Sequence, residues 1–181
     1  MSIVLITGSC GLVGSESSKF FCEKGFDVVI FKEGTQATFD EGNALNQSMI
    51  NEGEQLTLME GGKSANLKLN SSFTPETAIK KLNDLAGKNG LEVSVTDGGD
   101  GVIVVTHKKY GAAHKILLKS STPGVLSDGQ GIPWIIANGE DVRGMINGEG
   151  AIGRGQELTG RRGNETTEGL KIRWKGALGI E

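Results

Sequence analysis

Three stretches of the 181-residue chain carry residue types at spacings that do chemistry. The first is Thr7-Gly8-x-x-Gly11-x-x-Gly14. Glycines so placed let the backbone fold tightly beneath a diphosphate, and a helix that follows offers unpaired N–H groups and the positive end of its dipole. Gly8, Gly11, Leu12 and Gly14 are the residues such a cofactor-binding turn would use. The second is Asp97-Gly98-Gly99-Asp100-Gly101, two carboxylates in a glycine loop. An EF-hand loop ends in a Glu at its twelfth position, and counting from Asp97 that position is Lys108, so a hairpin turn is the expectation and no metal site. The third is His107-Lys108-Lys109-Tyr110 with His114 and Lys115, read as the solvated end of a strand. No acid pair, Ser-His-Asp set or P-loop is present, and no catalytic residue is assigned.

These residues need elements to hold them. Ser2 to Ile6 is a short β-branched run suited to a strand buried on both faces. Ser15 to Lys24 is expected to be a helix with Phe20 and Phe21 on its apolar side and Gly25 as its stop. Phe26 to Phe31 reads as a second strand, so the glycine turn sits in the strand-turn-helix context it requires. Residues 32–54 are polar and rich in Gly, Asn and Glu, with either a short helix over Asn43 to Asn51 or a plain connection. Leu56 to Met59 and Ala65 to Leu69 flank Gly61-Gly62 as a hairpin. Thr74-Pro75-Glu76 is a helix start, with Thr74 as N-cap and Glu76 favouring the dipole. Ala78, Ile79, Leu82, Leu85 and Ala86 follow at helical spacing, and Gly87 or Gly90 ends the element. Leu91 to Val95, Val102 to Thr106 and Lys115 to Lys119 read as strands. The order β-β-α-β-β-β predicts an α+β unit, one helix of about residues 74–86 covering an antiparallel sheet.

Composition narrows the classes. There are 29 glycines and only three prolines, more than twice the usual glycine share of about 7%, which points to many turns between short strands. Nineteen Lys+Arg against 22 Asp+Glu give a net charge of −3, so no basic footprint argues for nucleic acid. The apolar run at residues 3–6 falls far short of the roughly 20 residues that span a bilayer, and it lacks the basic flank and cleavage site of a secretory signal. Cys10 and Cys22 staple nothing downstream, and two histidines without nearby cysteines make no zinc site. Arg161-Arg162 is expected in an exposed loop, and Trp134 and Trp174 in packing. An exposed aromatic cleft around either tryptophan would instead favour a carbohydrate-binding module.

Residues 2–30, through Thr7-Gly8-x-x-Gly11-x-x-Gly14, resemble the NAD-dependent sugar-nucleotide epimerases and dehydratases among the extended short-chain dehydrogenases. That resemblance implies a Rossmann-like βαβ fragment and NAD or NADP as cofactor. It also implies an acidic residue after the second strand and a Tyr-x-x-x-Lys pair. Here Lys32 holds the acidic position with Glu33 one place late, and the one tyrosine, Tyr110, has His114 four residues on.

Residues 55–176 resemble the outer, variable domains of bacterial flagellins and of flagellar filament-cap and hook-associated proteins. The resemblance runs through Thr74-Pro75-x-x-Ala78-Ile79-x-x-Leu82-Asn83, Gly90 to Val95 and Val102 to Thr106. It is stronger through Gly139 to Glu149, Gly153-x-Gly155-Gln156-x-Leu158-Thr159-Gly160 and Thr167 to Trp174. It implies a structural, non-enzymatic role in an extracellular bacterial flagellum, with no cofactor. The implied partners are other flagellar subunits or the chain itself, without nucleic acid or membrane insertion. The heptad-rich helices by which flagellins polymerise are not found in the sequence. The expected organisation is a Rossmann-like fragment over 1–31, a polar connection over 32–54, a flagellin-repeat-like module over 55–122 and a Gly-rich β segment over 123–181. On this reading the βαβ piece is a fused remnant, and removing residues 1–32 would leave the rest equally stable.

Overall fold

A computed structural model describes residues 3–7, 12–126, 135–173 and 175. In chain order the elements are β1 (Ile3–Thr7), α1 (Leu12–Glu23), β2 (Asp27–Lys32), β3 (Gln36–Phe39), α2 (Gln47–Asn51), β4 (Gln55–Glu60), β5 (Lys63–Lys68), α3 (Pro75–Lys88) and β6 (Val93–Asp97). They continue with β7 (Ile103–Tyr110), β8 (Lys115–Ser120), β9 (Ile135–Asn138), β10 (Arg143–Ile146), β11 (Glu149–Arg154), β12 (Glu157–Gly160) and β13 (Lys171–Arg173). The expected α+β, sheet-rich class is what forms. The chain divides into two compact units, one made of Met1–Thr35 with Glu140–Glu181 and the other of Gln36–Gly139.

The discontinuous unit is built on a sheet of order β1-β2-β10-β11-β12-β13. β1 and β2 pair in parallel with α1 between them, and α1 packs on both. The other neighbour of β2 is antiparallel β10, with Ile30 opposite Met145 and Val29 opposite Ile146. Val29 and Phe31 share a buried cluster with Val142, Ile146, Ala151 and Leu158. The N-terminal segment is built into this unit, because β2 is an interior strand whose side chains supply part of the unit's core. The β10–β11 hairpin turns on Asn147-Gly148, both at positive φ (49° and 78°), the backbone of a two-residue type I′ turn. Asn147 also reaches sideways: its Oδ1 accepts from Val28 N at 2.7 Å and its Nδ2 donates to Asp27 Oδ1 at 3.1 Å. Close approach explains part of the glycine excess. A Cβ on Gly153 would collide with Val142 O, and one on Gly160 with Thr167 O.

The continuous unit, 36–139, holds two sheets rather than one, β5-β4-β8-β9 and β3-β7-β6. Leu56, Leu58, Leu67, Ile103, Val105, Ile116 and Leu118 fill the core, with Ala78, Ile79, Leu82 and Ala86 of α3 packed among them. α3 begins as expected, Thr74 accepting from Thr77 N, while the Thr77 hydroxyl closes the capping box in place of an acidic side chain. Gly87 lies within the helix, and Gly90, at φ 73°, follows the C-cap Asn89. The segment 32–54 is not a mere connection. Its β3 pairs with β7, and Ala37, Phe39, Leu45 and Ile50 are buried in the core. β3 alternates polar and apolar over only four residues, the shortest run that signals a strand.

Fully burying a Val or Phe side chain contributes about 1.5–3 kcal/mol, so losing β2 costs the discontinuous unit a large part of a typical domain's margin. Deleting residues 1–32 is expected to abolish that unit's cooperative urea transition. Residues 36–139 expressed alone are expected to keep theirs. Intrinsic fluorescence or circular dichroism against urea reads both, and an unchanged transition in the deletion variant would contradict the pairing.

Candidate functional site

Of the residues proposed for the glycine turn, Gly8 and Gly11 lie outside the described residues, and so does Cys10. Leu12 and Gly14 fall in the first turn of α1. Beyond the turn, Lys32 closes β2 and its Nζ lies 2.9 Å from Glu140 Oε2. That ammonium donates to Glu140 and holds its carboxyl below the usual range. Glu33 is half-buried, and its Oε1 is buried without a hydrogen-bond partner among the described residues.

The second candidate resolves into a turn. Asp97 Oδ1 accepts from Gly99 N at 2.8 Å and from Gly101 N at 3.2 Å, so the carboxylate caps its own loop. Asp100 adopts φ 52°, and no cluster of three potential metal ligands occurs among the described residues.

The third candidate is only partly a solvated strand end. Lys108, Lys109 and Tyr110 are exposed, but His107 is fully buried and stacks on His114 with ring centroids 4.5 Å apart. Lys109 N donates to His107 Nδ1 at 2.9 Å, and His107 Nε2 lies 3.4 Å from Glu60 Oε1. Glu60 Oε2 in turn accepts from Glu92 N at 3.1 Å. Lys109 Nζ sits 2.6 Å from Glu92 Oε2 and, with its charge, holds that carboxyl below its ordinary value. Tyr110 is exposed and pairs across the sheet with Gln36. Arg161 and Arg162 are exposed, as expected; Trp134 and Trp174 lie outside the described residues.

Two carboxylates escaped the sequence reading, and both are structural anchors. Glu54, 2% exposed, accepts from Ser121 N and Ser121 Oγ at 2.8 Å each, from Gln55 N at 3.1 Å, and from Thr122 N. Glu149 accepts from Thr167 Oγ1 at 2.6 Å, from Thr166 Oγ1 at 2.9 Å and from Glu165 N at 2.7 Å. These hydrogen bonds, Thr167 first, pull its carboxyl down to about 2. Nothing in sequence marks either residue, because each partner set lies at a loop whose position only the fold defines.

No family model matches this chain, and no curated protein matches it. Solved structures similar to it are the D2–D3 domains of the flagellar cap protein FliD. In one crystal form from Serratia marcescens the TM-score is 0.45 at 19% identity, over 81% of this chain and 85% of that one. A second form gives 0.42 at 18% identity, over 82% and 88%. The Escherichia coli D2–D3 domains give 0.43 at 14% identity, over 80% and 78%.

Glu149 supports a pH test. Its carboxyl lies lower folded than unfolded, so its contribution is present above about pH 4.5 and is lost as pH falls towards 2. Glu149→Gln is expected to flatten that acid limb in urea melts taken between those pH values. An acid limb identical to the parent's would contradict the assignment.

Proposed function

We propose that this chain is a non-enzymatic structural module of a bacterial flagellar filament or cap, working outside the cell beside other flagellar subunits or copies of itself. The observation that carries this reading is the ordered resemblance of residues 55–176, whose motif residues are the ones that build the fold. Thr74 caps α3, Ala78, Ile79 and Leu82 are its buried face, and Val93 and Val95 are core residues of β6. Gly144 lies opposite Phe31 in the sheet, and Gly153 and Gly160 sit where a side chain would collide with backbone. The polar groups described above also support it: Asp97, Glu54 and Glu149 spend their oxygens on backbone and hydroxyl donors of the chain itself. Gold-conjugated antibody raised against residues 36–139 is expected to decorate the flagella, or their tips, of the bacterium that makes the protein. Label confined to the cell body would overturn the reading.

A second reading rests on the parallel pairing of β1 and β2 around α1 and on Glu33 just past β2, whose buried Oε1 has no hydrogen-bond partner among the described residues. We propose, as the alternative, that Gly8, Gly11, Leu12 and Gly14 bind NAD or NADP in the manner of the sugar-nucleotide epimerases, with Glu33 a candidate for the ribose hydroxyls. Calorimetric titration with NAD(H) and NADP(H) tests it. Dissociation constants in the micromolar range, lost in Gly11→Val, are the result this alternative expects, and absence of heat up to about 1 mM cofactor would dismiss it.

A further inference from the structure

All five arginines of the chain fall between residues 143 and 173, while its fourteen lysines are spread along its length. That span is the run β10-β11-β12-β13, and the turns and loop joining these strands are described throughout. One side of the four strands faces the unit's core through Ile146, Ala151, Leu158 and Ile172. Their neighbours along each strand point the other way. On that outward side stand Arg143 and Met145 of β10, and Ile152 and Arg154 of β11. Arg173 of β13 lies in the same row as Arg154, since both pair across with Glu157. Arg161, just past β12, donates its N–H to Gly150 O at 3.2 Å. Its side chain lies over Gly150, where a Cβ would meet Arg161 Cδ at 3.5 Å, and Gly150 pairs with Met145. The four arginines are exposed, and among them Met145 and Ile152 are 42% and 51% exposed. Two lysines at this face are already engaged, Lys32 with Glu140 at 2.9 Å and Lys171 with Glu157 at 3.5 Å. Arg143 feels the Glu140 charge, yet the hydrogen bond of that carboxylate goes to Lys32. Among the described residues, no side-chain hydrogen bond or ion pair engages Arg143, Arg154, Arg161 or Arg173.

We propose that this arginine-bearing face docks an acidic protein surface whose carboxylates border an aliphatic patch. Arg and Met are enriched where proteins meet and Lys is depleted there, and the arginines of this chain are gathered at this face. A guanidinium offers a planar fork that binds a carboxylate through two hydrogen bonds, whereas an ammonium acts as a point charge. Met145 and Ile152 give such a partner an apolar centre to cover, and a bare polyanion has nothing to place against them. A second copy presenting the same face would set arginine against arginine. The chain as a whole bears −3, so the local positive sign is not inherited from its composition. The proposal rests on residues 143–173 and stands apart from both the flagellar and the nucleotide readings.

The test uses the full chain, isotope-labelled, in NMR titrations with a helical peptide that carries Leu on one face and Glu on either side of it. A Leu/Lys counterpart, poly-glutamate and dextran sulfate are titrated in parallel. Saturable shifts at the amides of Met145, Gly150, Ile152, Arg154, Thr159 and Arg161 with the Leu/Glu peptide are expected. Arg154→Glu with Arg161→Glu, and separately Ile152→Ser, are each expected to weaken that binding about ten-fold while the rest of the spectrum stays in place. Lys80→Glu with Lys81→Glu makes the same change of net charge on the exposed side of α3 and is expected to leave binding unchanged. An equal loss in that control, absence of saturation up to about 1 mM, or shifts mapping elsewhere would overturn the proposal. So would binding of the Leu/Lys peptide as tight as that of Leu/Glu. Tighter binding of poly-glutamate or dextran sulfate would make the face a polyanion site, and concentration-dependent shifts of the same amides without peptide would make a second copy its occupant; either overturns the proposal.

Discussion

The discontinuous unit depends on one pairing, β2 against β10, made between strands more than a hundred residues apart in sequence. It converts a parallel β-α-β start, too small to bury a core, into the end of a six-stranded sheet. Three details secure the register. Val29 faces Ile146 within the buried cluster; Gly144 lets the β10 backbone approach Phe31; and the Asn147 side chain binds the backbone and side chain of the first two residues of β2. A one-residue slip would turn Val29 and Phe31 away from that cluster and leave Asn147 without its partners.

The polar chemistry of the molecule is directed inward in the same spirit. Glu54 ties the start of β4 to the loop after β8 by accepting from Ser121 and Thr122. Glu149 does the same between β11 and the loop at 165–167. His107 is held by a backbone donor, a carboxylate and a stacked ring. A buried carboxylate such as Glu54 tolerates low-dielectric surroundings only when several donors stabilise it, and the half-buried Glu149 is likewise occupied in holding its loop. Such anchors suit a module that must keep its shape.

How much of this was legible in the sequence varied with the range of the interaction. α3 announced itself through Thr74, Pro75 and the spacing from Ala78 to Ala86, because capping and helical periodicity are local. The β4–β5 hairpin was equally plain around Gly61-Gly62. The Asn147-Gly148 turn carried the strongest short hairpin signal available, and it could have been read as a two-residue turn from sequence alone. What sequence did not disclose was which strand each hairpin would meet. β3 is short and lies in a polar stretch, so Ala37 and Phe39 gave no alternation long enough to separate from background. Its partner, β7, lies some sixty-five residues on, and β2 finds β10 across the whole intervening unit. Glu54 was invisible for the same reason, since Ser121 and Thr122 sit far along the chain, and Glu149 because its donors belong to a loop that only the fold places beside β11. The Asp97 loop went the other way, its local glycine pattern giving the turn correctly.

Placing residues 36–139 between β2 and β10 raises a question of entropy. Were those residues a flexible loop of roughly 100 residues, closing it would cost about 4 kcal/mol before β2 met β10, a large fraction of ordinary domain stability. The inserted unit removes most of that cost because it has its own core and places its first strand, β3, beside its last, β9. Once it has folded, the chain on either side starts from adjacent points. The antiparallel bridge of Thr35 with Glu140, closed by backbone bonds of 2.8 and 3.2 Å, is then a short-range contact. The Lys32–Glu140 ion pair follows one step further along, and Arg143 pairs with Lys32 as the ladder begins. Loop closure for the β2–β10 pairing is thereby shortened to the few residues on either side of the Thr35–Glu140 bridge.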